Sequence, residues 1–377
     1  MFDFPMTEHS MGTAFYCLLT YMFILCFNYK TALKAPYTHS VKRHTKQMQI
    51  LLTGFIIVTF CNKGDFFHLM EHVYDYQFIP GAYNYGEDVY INIAKLVGKN
   101  YFLFRTIVWG GSFVLFCWTL KRLDVPVYYA VILLFCIYVV TFSYGRFTAA
   151  TAVYFFGVSF LCMPIKNLKL LSYIIGIIII YTSWEFHNSA IIMIITTLIL
   201  LVPFKKWSIA LILIGIPGIV AIAKDQFYII AQFAEANDNA IGERMFRYTQ
   251  NIRGSIISQT ILNTFKYLSF YIPIIISSIV IFTKNNINKI PIPIIRMYKV
   301  TFGVIFMASI LYLLGPTFYP IFSRVLFMSM IPLCIIITAL YKEGYMTRKQ
   351  FRLCYIFGLI HTILSLVYTV YDIYVNS

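Results

Sequence analysis

Of the 377 residues, 60% are hydrophobic and only 12% charged, and the mean hydropathy is +0.75. So few ionised side chains cannot cover a water-soluble core that would also have to hide 35 Phe and 30 Tyr, which excludes soluble enzymes, disordered tails and coiled coils. The formal charge of +15 suggests nucleic-acid binding only if it forms a patch, so its distribution decides what it means.

Continuous apolar runs such as LLSYIIGIIIIYTSW and AIIMIITTLILLVPF read as membrane helices rather than as the weak alternation of an outer-membrane barrel. In chain order the expected spans are roughly 12 to 29, 47 to 62, 101 to 120, 127 to 143, 147 to 163, 171 to 184, 189 to 203, 207 to 223, 260 to 282, 299 to 315, 324 to 340 and 353 to 375. The fold class expected is therefore all-α: a polytopic integral membrane protein of about 12 transmembrane helices, eleven to thirteen being the range, with two longer external loops. Residues 1–377 read as a single membrane-embedded domain. The first run follows Asp3 and Glu8 rather than a basic segment, so it is expected to be a span and not a cleaved signal peptide.

Between these spans the basic residues gather on one side. They include Lys42 and Arg43, Lys121 and Arg122, Lys166 and Lys169, Lys205 and Lys206, Arg296 and Lys299, and Lys342 and Arg348, with only Asp124 and Glu343 as acids. By the positive-inside rule that side is cytoplasmic and both termini are external. Net charge thus reports topology, and no nucleic-acid partner is expected. All eight cysteines lie in or at the edge of apolar runs without any CxxC spacing, which suits free thiols behaving as small hydrophobes.

Most connections are short, but the external segments of about 63 to 100 and about 224 to 259 are not, and function is expected to concentrate there. The first carries Asp65 and Glu87, and the second carries Arg244 and Arg247 one helical turn apart. At the external ends of spans stand Arg146, between two apolar runs, and Arg324, before VLFMSMIPLCIIITAL. An arginine at membrane depth costs about 2.5 to 3.5 kcal/mol on insertion scales, so it either snorkels to headgroups or has a partner. Four arginines on one side favour an anion-binding cavity, and guanidinium forks match phosphate oxygens, so a diphosphate is the natural ligand.

Glu185 and His187 interrupt two apolar runs at the same level. They are polar either because hairpin tips face water or because they bring titrating groups to the cavity. His68, Glu71 and His72 spell H-x-x-E-H, a zinc-peptidase pattern, but no third ligand has a telling spacing, so no metal is expected. GxxxxGK is absent, and no cofactor is expected.

Four segments together resemble the EpsG-like branch of Wzy-type polysaccharide polymerases, a family that builds O-antigen, capsule or exopolysaccharide. They are GDFFHLMEHVYDY at 64 to 76, SYGRFTAATAVYF at 143 to 155, FHNSAI at 186 to 191 and FYPIFSRVLFM at 318 to 328. Phe147 stands where the family often has Gln, and Asn188 where it has a basic residue. The resemblance implies a multi-pass glycosyltransferase of the bacterial inner membrane. Its substrates would be undecaprenyl-diphosphate-linked oligosaccharides, polymerised on the external, periplasmic face, with a chain-length regulator and a flippase as partners.

On that basis Arg146, Arg324, Arg244 and Arg247, with Glu185, would hold the lipid diphosphate and glycan. Asp65, Glu87 or His187 would take the proton of the acceptor hydroxyl. The competing class is a lipid-linked oligosaccharide flippase or transporter, whose signature is ionisable residues at the bilayer midplane. Pro217 and Pro273 do interrupt spans, but no Asp or Glu lies near the middle of one.

Overall fold

The computed structural model describes residues 41–61, 89–97, 100–127, 130–131, 133–134, 145–187, 190–201, 256–282, 288–313 and 319–360. Every regular element among them is helical, and five helices are long and apolar enough to cross a membrane: Phe102–Arg122, Gly145–Cys162, Lys169–Phe186, Ile292–Leu313 and Phe322–Lys342. A backbone in hydrocarbon must satisfy its own polar groups, which is why apolar runs of this composition become helices. The expected spans of about 12 to 29 and 207 to 223 lie outside the described residues, as do most of 127 to 143 and 353 to 375.

In chain order α1 is Val41–Ile56, continued by a π-helical turn at Ile57–Cys61, and α2 is Val89–Val97. Next, α3 (Tyr101–Arg105) passes through a second π-helical turn, Thr106–Gly110, into α4 (Gly111–Arg122). Then come α5 (Gly145–Cys162), α6 (Lys169–Phe186) and α7 (Ala190–Thr197, prolonged by a tighter turn to Leu201). The last group is α8 (Ile256–Phe282), α9 (Ile292–Leu313), α10 (Tyr319–Met328) and α11 (Met330–Lys342).

The centre of the bundle is α5, α9 and α11, whose side chains are mostly buried; α6 lies at the edge and shows most of its surface outside the described packing. Small residues let α6 approach α5 closely. A Cβ on Gly157 would stand 2.9 Å from the carbonyl oxygen of Gly176, and one on Gly176 would stand 3.0 Å from that of Gly157. Such mutual backbone contact is how membrane helices gain packing energy without a hydrophobic difference between lipid and protein.

Hydrogen bonds fix which helix ends lie together. Arg122, at the end of α4, donates to the Met163 carbonyl at 2.6 Å, and Arg296 of α9 donates to the carbonyls of Leu161 and Cys162 at 2.9 and 3.3 Å. Two guanidinium groups thus satisfy the orphan carbonyls at the negative end of α5. Lys342, closing α11, donates to the Asp124 carbonyl and stands 3.7 Å from the Asp124 carboxylate and 3.6 Å from that of Glu343. The only two acids on the basic side in the sequence reading therefore sit together around one lysine.

Several boundaries differ from the sequence reading: helices begin at Val41, Ile256 and Tyr319 where spans were expected from 47, 260 and 324. The span set at 299 to 315 begins at Ile292, because Arg296 and Lys299 are helical rather than loop residues and Arg296 is held by the carbonyls of α5. The segment of about 63 to 100, read as a loop, contains α2.

Candidate functional site

With Arg122, the end of α5, the start of α9 and the end of α11 at one pole, the antiparallel run of the helices puts the start of α5, the end of α6 and α10 at the other. Over 18 residues α5 extends about 27 Å, close to the thickness of a bilayer core. Arg146, His187 and Arg324, read from three separate segments, therefore belong to the same pole.

Each is placed by its own local structure. Arg146 is the second residue of α5, half-buried, and Arg324 lies exposed in the middle of α10. His187 ends α6: its backbone turns extended, with φ −163° and ψ 125°, and its N–H bonds back to the Trp184 carbonyl at 3.1 Å. The Ala190 N–H then donates to the His187 carbonyl at 2.9 Å and starts α7. The hairpin so formed is tied to α5 by the Tyr154 hydroxyl, which reaches the Met193 carbonyl at 2.7 Å and Thr197 Oγ1 at 2.6 Å.

Phe147 meets this tip directly, its ring edge-on to the His187 imidazole with centroids 5.5 Å apart. Phe147 thus supplies an apolar wall beside the imidazole. Burial lowers the pKa of His187 to about 3, and the positive charges of Arg146 and Arg324 push it the same way. The imidazole is consequently neutral at physiological pH, within the electrostatic reach of two cations. Its ring can accept a proton or donate a hydrogen bond, and the arginines can bind an anion beside it. Glu185 is half-buried in the last turn of α6, two residues before His187.

Asp65, Glu87, Arg244 and Arg247 lie outside the described residues, as does the H-x-x-E-H stretch at His68, Glu71 and His72. No group of three His, Cys, Asp or Glu able to hold a metal ion occurs among the described residues.

One residue at this pole escaped the sequence reading. Arg105 is only 6% exposed, donates from Nε to the Thr59 carbonyl at 2.5 Å, and sets its guanidinium over the Trp109 ring, 5.1 Å from the centroid. It stands inside the apolar run of 101 to 120, where hydropathy does not single it out, although an arginine four residues before a tryptophan in such a run is itself a signal of cation–π pairing on one helix face. The Thr59 hydroxyl beside it is buried and has no hydrogen-bond partner among the described residues.

Comparison with protein families, with characterised proteins and with solved structures gives no match.

Proposed function

We propose that the chain is a membrane glycosyltransferase that polymerises lipid-diphosphate-linked oligosaccharide units into a surface polysaccharide. The observation that carries this reading is the gathering of Arg146, His187 and Arg324 at one pole of an apolar helix bundle. Two guanidinium groups beside a neutral imidazole suit a reaction in which an anionic leaving group departs while a hydroxyl loses its proton. The resemblance of four segments to Wzy-type polymerases adds the substrate class, undecaprenyl diphosphate bearing a glycan.

In the proposed reaction the acceptor hydroxyl oxygen of one lipid-linked unit bonds to the anomeric carbon of the other. The bond from that carbon to the diphosphate oxygen breaks, and the diphosphate keeps the electron pair. Arg146 and Arg324 stabilise the charge that grows there, with Arg244 and Arg247 as further candidates from the external segment. The hydroxyl proton goes to a base, for which Asp65, Glu87 and His187 are the candidates. A lipid diphosphate is already activated, so no nucleotide is required. In this reading the basic pole faces the cytoplasm and the arginine–histidine pole faces the periplasm of a bacterial inner membrane.

Deletion of the gene followed by sizing of the surface glycan tests the proposal. Glycans of a single repeat unit, with the lipid-linked precursor still made and exported, are expected. Loss of external precursor altogether would place the chain among flippases instead.

A further inference from the structure

We propose that Arg105 is a positioning residue for Arg146, acting through the indole of Trp109 and the notch at Gly145. The inference rests on the reading that Arg146 binds an anionic headgroup, and it adds a residue that neither the motifs nor the resemblance indicates.

Three contacts form a continuous path. The Arg105 guanidinium is anchored on one side by the Thr59 carbonyl in the π-helical turn Ile57–Cys61, and on the other side it lies over the Trp109 ring. Trp109 is fully buried in the second π-helical turn, Thr106–Gly110, and packs edge-on against Phe104 with centroids 6.1 Å apart. Its indole fills the space that a side chain at position 145 would need: a Cβ there would stand 2.5 Å from Cζ2 and 2.7 Å from Cη2 of Trp109. Gly145 is the first residue of α5, and Arg146 is the next. The lateral position of the indole therefore sets where the first turn of α5 can lie, and with it Arg146 and the Phe147 wall against His187.

A spacer between α3 and α5 could be wholly apolar, and burying a guanidinium is costly unless its hydrogen bonds and charge are used. The arginine does what an apolar spacer cannot. It ties the backbone of one π-helical turn to the ring borne by the other and restrains both the plane and the depth of the indole. π-helical turns are rare and occur disproportionately at functional sites, and here two of them pack against each other beside the same arginine.

The test uses the full-length protein in phospholipid nanodiscs, with inorganic pyrophosphate as the probe of the anion site. Arg105→Met should weaken pyrophosphate binding about tenfold, in the range found when a residue that orients a ligand-binding side chain is removed. In an Arg146→Ala background the same substitution should change the affinity no further, because Arg105 acts only through Arg146. Additive losses, or an unchanged affinity in the single variant, would overturn the proposal.

A readout that needs no ligand separates this inference from the functional reading. The rate at which an impermeant thiol reagent labels Arg146→Cys, in a background without other cysteines, should change severalfold when Arg105→Met or Trp109→Phe is added. A control Lys349→Cys, exposed at the opposite pole and open to the reagent because nanodiscs leave both faces accessible, should keep its rate. Equal rates at position 146 with and without Arg105 would reject the positioning role even if pyrophosphate binds. Absence of pyrophosphate binding to the wild type would reject the anion site and leave the labelling result to decide the positioning role. Arg105→Lys, which keeps the charge but not the planar fork, should label at an intermediate rate, and it serves as the test where the Met variant does not fold.

Discussion

The Phe147 ring stands perpendicular to the His187 imidazole, 90° between planes and 5.5 Å between centroids, so the first turn of α5 forms one wall of the histidine's surroundings. That wall excludes water from one face while Arg146 and Arg324 add positive charge nearby, and the imidazole is held well below its ordinary pKa of 6.5, at about 3. The folded protein therefore binds fewer protons at this site than the unfolded chain between about pH 6.5 and pH 3. His187 contributes stability that is complete above pH 6.5 and is lost as the pH falls towards 3. Melting temperatures of wild type and His187→Gln, compared from pH 7 to pH 4, should show a shallower acid decline for the variant. Parallel curves would mean that His187 is not held neutral.

Arg146 and Arg324 differ in setting, one half-buried at a helix start and one exposed in mid-helix, yet both act on the same imidazole. If each contributes like a single donor to the departing diphosphate, Arg→Ala at either position should lower chain extension by about two orders of magnitude. Arg146→Lys should lose most activity although charge is kept, because one ammonium cannot span two phosphate oxygens. Chain extension by membranes containing equal amounts of each variant checks this, and full activity of Arg324→Ala would remove it from the site.

What the sequence made legible followed from composition. The helical class, the run expected to end at 282, and the shared level of Arg146, His187 and Arg324 all follow from where apolar runs stop and charges stand. What it hid were charges serving other helices. Arg296 and Lys299 looked like loop because they are basic, but Arg296 lies in α9 and closes the carbonyl end of α5, 135 residues earlier for its bond to Leu161. Arg105 was hidden for the converse reason, since a single charge inside YFLFRTIVWGG barely alters a run's hydropathy while its partners, Thr59 and Trp109, are set by tertiary packing. A hydropathy window has no term for either contact.

Glycine positions with different surroundings offer a stability test within one protein. At Gly157 an added methyl would meet the Gly176 carbonyl and Ile180 at 2.9 Å, so Gly157→Ala must separate α5 from α6 and should cost about 1 to 3 kcal/mol, as overpacking does. At Gly111 nothing lies within 4 Å, so Gly111→Ala should be neutral or stabilising by up to about 1 kcal/mol through helix propensity alone. Unfolding of both variants in a denaturing-detergent titration should place Gly157→Ala below the wild type and Gly111→Ala at or above it. A Gly157→Ala variant as stable as Gly111→Ala would contradict the close α5–α6 contact.

In the proposed reaction, the pH dependence of two kinetic constants tells which group is the base. A histidine with a pKa of about 3 is a weak base. A diphosphate seated between Arg146 and Arg324 offsets their charge, so the imidazole pKa should rise and the base should strengthen when the substrate is bound. The acid limb of kcat/KM reports the free protein, and that of kcat reports the complex. With His187 as base, activity falls when the imidazole is protonated, so the acid limb of kcat should lie at higher pH than that of kcat/KM, and His187→Ala should lower kcat by about 10²- to 10⁴-fold. With Asp65 as base, the loss should instead follow Asp65→Asn, with lipid-diphosphate binding almost intact, and Glu87→Gln provides the same comparison for the remaining carboxylate. Coincident acid limbs together with an active His187→Ala variant would leave the imidazole as a neutral hydrogen-bonding neighbour of the arginines and assign the proton to a carboxylate of the 63 to 100 segment.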